Sequence, residues 1–335
     1  MKRKVEPWWK WCDGYSSCNK LAPISVVSAL ARIVQPWADM QWTPGGDNPD
    51  VEDRRGESGG GGGFGFGGGG GGFGGIHLGI GGTLILLVLS FLFKTNLFQF
   101  FGGGEGQNSE PSRVEQRVPD APRKLANDPK KQFVSAVLKD VQETWDKRLP
   151  ESGKNYRHAK LDLFRDSIQS ACGQAQSATG PFYCPGDEKV YVDLSFFDEL
   201  RTRFGAPGEF AQAYVLAHEV GHHVQKILGI EEQVRRAEER NPRMQNQYSV
   251  RVELQADCFA GVWASHPTEI KLDESDIDAG LRAAAAVGDD RLQKMARGTV
   301  SPETFTHGSS AQRMQWFRTG YQNGTVASCN TFDQR

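Results

Sequence analysis

The stretch EFAQAYVLAHEVGHHVQKIL, residues 209–228, is the part of the sequence that decides the fold. Its apolar residues recur at the spacing of one helix face, and Pro207-Gly208 and Gly229 bracket it as helix boundary signals. The stretch therefore predicts an amphipathic helix. Two histidines, His218 and His222, stand four residues apart in it, so both imidazoles project from the same face.

The pattern His-Glu-x-x-His on a helix is a specific metal-binding pattern. Its two imidazoles, on His218 and His222, can both reach one Zn²⁺ at about 2.0 to 2.1 Å. Glu219 is offset from them and can contact a metal-bound water instead, which is the position of a general base in hydrolysis. The pattern predicts one zinc ion per chain, with Glu219 as the catalytic base.

A hydrolytic zinc centre needs a third protein ligand on a neighbouring element. The metzincin pattern would require glycine at position 225 and histidine at 228, where the sequence has Gln225 and Leu228. A carboxylate is the remaining common choice, and Glu253 supplies one on the next predicted helix. Asp257 lies one turn later on the same face, so we expect it to accept the outward N–H of His218. The alternative, a solvated acidic face, is disfavoured by the apolar residues around the pair.

The rest of residues 131–335 predicts an α+β domain that is mainly helical and has a small sheet. Apolar residues at helical spacing from 133 to 145 predict a helix that ends before Pro150. The alternating run from Lys189 to Leu194 follows a Pro-Gly-Asp turn and predicts a strand. Further helices are predicted at about 250–265, 277–297 and 310–320.

The chain before residue 131 divides into zones of different composition. The formal net charge is only -2 and the basic residues are scattered, which argues against nucleic-acid binding. Residues 40–58 are polar and mostly acidic, a composition typical of a disordered tail. The expected zones are a disordered N-terminal region (1–58), a Gly/Phe-rich linker (59–75), a transmembrane helix with its boundary (76–101) and a flexible tether (102–130).

The apolar segment 76–101 is the predicted membrane anchor. No charged residue occurs between Ser58 and Phe93, and the run LILLVLSFLF at 84–93 has no polar face. A buried core helix would be weakened by the nearby glycines, and a cleaved signal peptide would lie closer to the start of the chain. A single membrane-spanning helix is therefore expected.

His218-Glu219-x-x-His222 followed by Glu253-x-x-x-Asp257 resembles the gluzincin metallopeptidases. With the acidic stretch, the glycine-rich tract, the anchor and the run GPFYCP at 180–185, residues 40–332 resemble more closely the bacterial family called "putative neutral zinc metallopeptidase". Residues 1–39 depart from that family's pattern, as a lineage-specific extension or an early start codon would. The resemblance implies a zincin-like domain and a single-pass protein of the bacterial inner membrane, with the catalytic domain in the periplasm.

Four cysteines lie in the predicted domain. Cys172 and Cys184 are close enough in sequence to bridge easily, whereas a Cys258–Cys329 pair is implied by the resemblance alone. The alternative is four buried free thiols. Gluzincins often use a downstream His, Tyr or Arg to stabilise the oxyanion, which makes His307 a candidate for that role; otherwise it is a loop residue before the last helix.

The expected reaction is hydrolysis of a peptide or protein substrate lying along the edge of the strand at 190–193, an arrangement taken from zincins by analogy. A zinc-stabilised, non-catalytic binding or scaffold module at the membrane is the alternative, but it would need no base at Glu219. An intramembrane protease is excluded because Gln212, Gln225 and Lys226 place the histidine helix in a soluble domain.

Overall fold

The structure is a computed structural model of the full chain, and it describes residues 40–44, 48–56 and 128–333. These residues form a mainly helical α+β domain with a small sheet, which confirms the predicted fold class at that level. The described helices are α1 (Pro129–Arg148), α2 (Ser195–Thr202), α3 (Glu209–Leu228), α4 (Ile230–Arg240), α5 (Gln245–Ser265), α6 (Glu274–Ala286), α7 (Asp289–Arg297) and α8 (Ser310–Asn323). The described strands are β1 (Val51–Asp53), β2 (Lys160–Phe164), β3 (Ser167–Ser170), β4 (Gly173–Gln176), β5 (Phe182–Cys184) and β6 (Lys189–Asp193).

The main sheet has four strands in the order β1-β2-β6-β5. Strands β1, β2 and β6 run parallel to one another, whereas β5 runs antiparallel to β6. Because β6 is paired on both sides, the expectation that substrate lies along its edge is wrong. The edge on that side of the sheet is β5, which packs against α3.

The prediction of α3 from its spacing and boundary signals is confirmed. The helix ends where Gly229 adopts φ 76°, and the Gly229 N–H reaches the carbonyl oxygens of Gln225 and Lys226. Gly221, inside the zinc-binding pattern, faces α5 so closely that an added Cβ would lie 3.1 Å from the Ala256 carbonyl oxygen. The small residue therefore lets α3 and α5, the two helices that carry the metal-site residues, approach each other.

The predicted helix at 277–297 is two helices, α6 and α7. The break falls at Gly288, where a Cβ would lie 2.4 Å from the backbone nitrogen of Ser310. At the start of α7, the Asp289 carboxylate accepts hydrogen bonds from the backbone N–H groups of Thr306, His307 and Gly308. Periodicity alone did not reveal this break because both halves keep a helical apolar pattern.

The prediction of a disordered tail at 40–58 is wrong for the residues that the structure describes. Strand β1 pairs with β2, and Met40 is 3% exposed in the main core. The acidic residues that suggested disorder have partners, since Asp50 contacts Lys160 and Asp53 contacts Arg55. The prediction from composition failed because this segment is stabilised by pairing with β2, which lies more than a hundred residues later in the sequence.

Several of the predicted N-terminal zones cannot be compared with the structure. Residues 1–39, the linker at 59–75 and the predicted transmembrane segment at 76–101 lie outside the described residues. In the part of the chain that the structure describes, no helix has the length and apolar character needed to cross a bilayer. The predicted tether ends slightly too late, because α1 begins at Pro129 after the N-cap residue Asp128.

Candidate metal centre

Two histidines of α3 and one glutamate of α5 converge at the centre of the domain. His218 Nε2 lies 3.2 Å from one carboxylate oxygen of Glu253, and His222 Nε2 lies 3.7 Å from the other. One ligand atom from each of the three side chains lies within 4.8 Å of the other two. Donors at about 2.0 to 2.2 Å from one tetrahedral zinc are about 3.3 Å apart, so two imidazole nitrogens and a carboxylate oxygen in this arrangement fit that ion.

Glu219 lies beside this group as a buried carboxyl that is not one of the three converging side chains. Its residue is 9% exposed, and the backbone of Tyr183 in β5 lies near enough to the carboxyl to favour its ionised form. Burial raises the pKa of Glu219 to about 7; the charge of Glu253 acts in the same direction, whereas His218 opposes it. A carboxyl with that pKa can both accept and release a proton near neutral pH.

The charges of the site are strongly coupled. Burial lowers the pKa of His218, but the charge and hydrogen bond of Asp257, with the hydrogen bond to Glu253, raise it to about 10. Burial also raises the pKa of Glu253, but the nearby histidines His222, His307 and His218 outweigh burial and hold it far below its ordinary value. The carboxylate of Glu253, the third candidate ligand, is therefore held ionised, as a metal ligand must be.

Asp257 contacts the far side of the His218 ring, as the helix spacing predicts. Its Oδ1 lies 2.9 Å from His218 Nδ1, so the ring can donate there and keep Nε2 for a metal. Asp257 is fully buried and also accepts hydrogen bonds from Arg313 Nε at 2.7 Å and from the Tyr214 hydroxyl. The result is a buried ion pair that fixes the carboxylate behind the histidine.

Arg313 in α8 was not identified from the sequence. Its guanidinium makes a second contact to Asp257, 2.8 Å from Oδ1, and lies 3.2 Å from the Tyr214 hydroxyl. Sequence spacing could not indicate the contact with Asp257, because α8 follows α5 by about fifty residues. Which residues of the two helices meet depends on how they pack in the folded domain. A buried arginine was nevertheless a reasonable partner to seek once Asp257 was placed in an apolar environment.

Gln225 supports the second histidine, a role that sequence reasoning also missed. Its Oε1 lies 2.9 Å from His222 Nδ1. Its Nε2 donates to the Val252 carbonyl oxygen at 2.7 Å and to Gln255 Oε1 at 3.1 Å. Gln255 in turn donates to the Cys329 carbonyl oxygen at 2.8 Å. The sequence contained one signal for this contact: Gln225 follows His222 by three residues and therefore lies on the same helix face.

His307 lies in the loop before α8, as predicted, and Asp289 holds it. The backbone N–H donates to Asp289 Oδ2 at 2.6 Å, and the ring Nδ1 lies 3.3 Å from Oδ1. Burial lowers the pKa of His307, but the charges of Glu253 and Asp289 raise it above the ordinary value. The protonated form of the ring is therefore favoured, and the ring acts electrostatically on the Glu253 carboxylate.

Both predicted cysteine pairs are disulfides in the structure. Cys172 and Cys184 are joined beside β5, and Cys258 in α5 is joined to Cys329 near the C-terminus. The Cys258 bridge follows directly after Asp257 in sequence. It therefore ties the C-terminal segment to the helix that carries Glu253.

Comparison with known proteins gives the family. Residues 40–332 match the family described as "Putative neutral zinc metallopeptidase". The chain is 42% identical over 297 residues to the uncharacterized protein YpfJ of Escherichia coli K12, covering 88% of this chain and 99% of that protein. It is 44% identical over 211 residues to the uncharacterized protein Rv2575 of Mycobacterium tuberculosis H37Rv, covering 59% of this chain and 69% of the other. No solved structure matches the chain. The chain therefore belongs to the family that carries this description.

Proposed function

We propose that this protein is a zinc-dependent peptidase that hydrolyses peptide bonds with an activated water and Glu219 as the general base. The observation that carries the proposal is the convergence of His218, His222 and Glu253 beside the buried carboxyl of Glu219. Glu219 lies on the same helix as the two histidines. A purely structural zinc site usually has four protein ligands and needs no adjacent base. Three ligands with a neighbouring glutamate favour hydrolysis.

His218, His222 and Glu253 would hold one Zn²⁺. When bound, the ion supplies Lewis-acid chemistry, lowering the pKa of a water from 15.7 to about 7 and polarising the scissile carbonyl. Glu219 would take the proton of the attacking water and return it to the leaving amine. Asp257 and Gln225 would keep the two imidazoles in the tautomer that leaves Nε2 free.

His307 is the proposed stabiliser of negative charge on the substrate carbonyl oxygen. Its support is the raised pKa, which favours the protonated ring, and its electrostatic influence on Glu253. The substrate would extend along β5, because this strand is the sheet edge that packs against α3, the helix that carries Glu219.

We further propose that the domain works at the bacterial inner membrane on the periplasmic side. Two disulfides, Cys172–Cys184 and Cys258–Cys329, support an oxidising compartment. The apolar composition of residues 76–101 supports attachment to the bilayer.

The test is metal analysis of the full-length protein together with cleavage of casein and a peptide library. Glu219→Gln is expected to retain one zinc per chain and to lose roughly 10² to 10⁴ in rate. Glu239→Gln, an exposed change on α4, is the matched control and is expected to keep full activity. Equal activity of wild type and Glu219→Gln would contradict the mechanism. Zinc binding without any cleavage would favour the alternative, a zinc-stabilised binding or scaffold module.

A further inference from the structure

The described residues on either side of positions 57–127 belong to one sheet. The residues of β1 pair in parallel with those of β2. Val51 lies opposite Leu161, and Asp53 lies opposite Leu163. The Leu161 N–H donates to the Asp50 carbonyl oxygen at 2.7 Å, and the Arg54 N–H donates to the Leu163 carbonyl oxygen at 2.8 Å. Neighbouring strands lie about 4.8 Å apart, so β1 and β2 must occupy the same compartment.

The N-terminal segment is also built into the domain by its side chains. Met40 is buried in the main core, and the Trp42 ring packs edge-on against Phe133 with centroids 5.4 Å apart. The Trp42 indole N–H donates to Glu209 at 2.9 Å, at the start of the helix that carries the two histidines. Removing this segment would uncover apolar core and one edge of β2.

The two ends of the intervening stretch meet at a buried ion pair. Arg55 is 8% exposed, and its guanidinium pairs with both Asp53 and Asp128. Asp128 also caps α1 by accepting a hydrogen bond from the Lys130 N–H at 2.8 Å. The chain therefore leaves the domain after residue 56 and returns at residue 128 beside the point where it left.

A single crossing of the membrane by residues 76–101 is not compatible with this arrangement. The hydrocarbon core is about 30 Å thick, so one crossing would put β1 and β2 on opposite faces. The uninterrupted apolar run at 84–93 would span only about 15 Å as a helix, roughly half of that thickness. A run of this length is more typical of a re-entrant or interfacial segment.

We propose that residues 40–56 and 128–333 lie on the same side of the membrane, which excludes a single crossing of the bilayer between them. The proposal rests on the membrane attachment proposed above but on no enzymatic property. The metal-site domain would be connected to the bilayer through chain that leaves and re-enters the domain beside the Arg55–Asp128 pair.

Cysteine labelling of the full-length chain in membrane vesicles tests the sidedness. In a background with Cys12→Ser and Cys18→Ser, single cysteines are introduced at Thr43 and at Glu303, both of which are exposed. A membrane-impermeant maleimide is applied to right-side-out and to inverted vesicles, with detergent-opened vesicles as the control for reactivity. Both positions are expected to react in the same vesicle orientation.

A cross-link tests the docking of the segment in the same membranes. Gln41 and Lys271 are exposed partners in an antiparallel bridge, so the double variant Gln41→Cys/Lys271→Cys is expected to form a disulfide, and Gln41→Cys alone serves as control. Labelling from one side together with the cross-link supports the proposal. Labelling from opposite sides, or no cross-link, overturns it. Recovery of the chain in the soluble fraction also overturns it, without bearing on zinc binding or peptide cleavage.

Discussion

Gln225 Oε1 lies 2.9 Å from His222 Nδ1, and Gln225 is fully buried between α3 and α5. The amide is fixed because its Nε2 donates to the Val252 carbonyl oxygen and to Gln255. Its oxygen must therefore face the imidazole and accept from it, which leaves His222 Nε2 for the metal. One of the two residues that rule out the metzincin pattern, Gln225, is thus the one that orients the second histidine.

Gln225→Ala is expected to weaken zinc binding by roughly 10- to 100-fold, because the ring of His222 loses the partner that sets its tautomer and direction. The measurement is competition with a zinc chelator, with the melting temperature of the metal-free protein recorded alongside. Gln233→Ala, at an exposed position of α4, is the control and is expected to leave affinity unchanged. Unchanged affinity in Gln225→Ala would contradict this role.

Arg313→Met is expected to lower the free energy of unfolding by about 3 to 5 kcal/mol, because it leaves the fully buried Asp257 carboxylate without its cation. The double variant Arg313→Met/Asp257→Asn is expected to lose less than the sum of the two single variants, since no unpaired charge then remains. Denaturant unfolding of all four proteins gives the coupling. Additive effects would show that the ion pair does not act as a unit.

Removing the Cys258–Cys329 disulfide is expected to destabilise the domain more than removing Cys172–Cys184. The bridged residues are 71 and 12 positions apart, respectively. Chain entropy then predicts losses of about 4 and about 3 kcal/mol. Thermal unfolding of the two double-alanine variants makes the comparison. A larger loss from the shorter loop would indicate that local packing outweighs chain entropy.

His158 is expected to make stability depend on pH on the alkaline side. Burial lowers its pKa, but hydrogen bonds to Asp146 and Asp50 outweigh burial and raise it above the ordinary value. Because the folded pKa exceeds the unfolded one, the stabilisation is fully present below pH about 6.5 and is lost as pH rises through the folded pKa.

The effect of His158 should be small, since its side chain is 44% exposed and solvent screens both contacts. His158→Gln is expected to reduce the fall in melting temperature on going from slightly acidic to alkaline buffer. Lys154→Gln, at a nearby exposed position, provides the comparison. An identical dependence of melting temperature on pH in His158→Gln and wild type would show that His158 does not cause it.

Local spacing predicted the parts of the site that lie within one helix. His218, Glu219 and His222 follow from a single helical pattern, and Glu253 with Asp257 from another. The metal-site grouping in the structure brings His218, His222 and Glu253 together. Arg313 could not be found in this way, because its contact with Asp257 depends on how α8 packs on α5.

Close packing between those two helices depends on glycines whose importance is not visible in the sequence. A Cβ at Gly320 would lie 1.9 Å from the Cys258 carbonyl oxygen, and one at Gly261 would lie 2.0 Å from the Phe317 carbonyl oxygen. This approach sets the register that brings Arg313 to Asp257. Helical glycines alone carry no such information, since most are tolerated without a close neighbour.

The sequence by itself determined the helix at 209–228, the three candidate ligands and the family, because each depends on residue types at short, fixed spacings. Only the tertiary structure decided that residues 40–56 form part of the domain, that β5 rather than β6 is the edge strand, and that Gln225 and Arg313 orient the two histidines. The physical reason is the range of the interactions. Helical periodicity is set by neighbours within a few residues, whereas strand pairing and helix packing can join residues far apart in sequence, such as Val51 with Leu161 and Asp257 with Arg313, through contacts that no local pattern encodes.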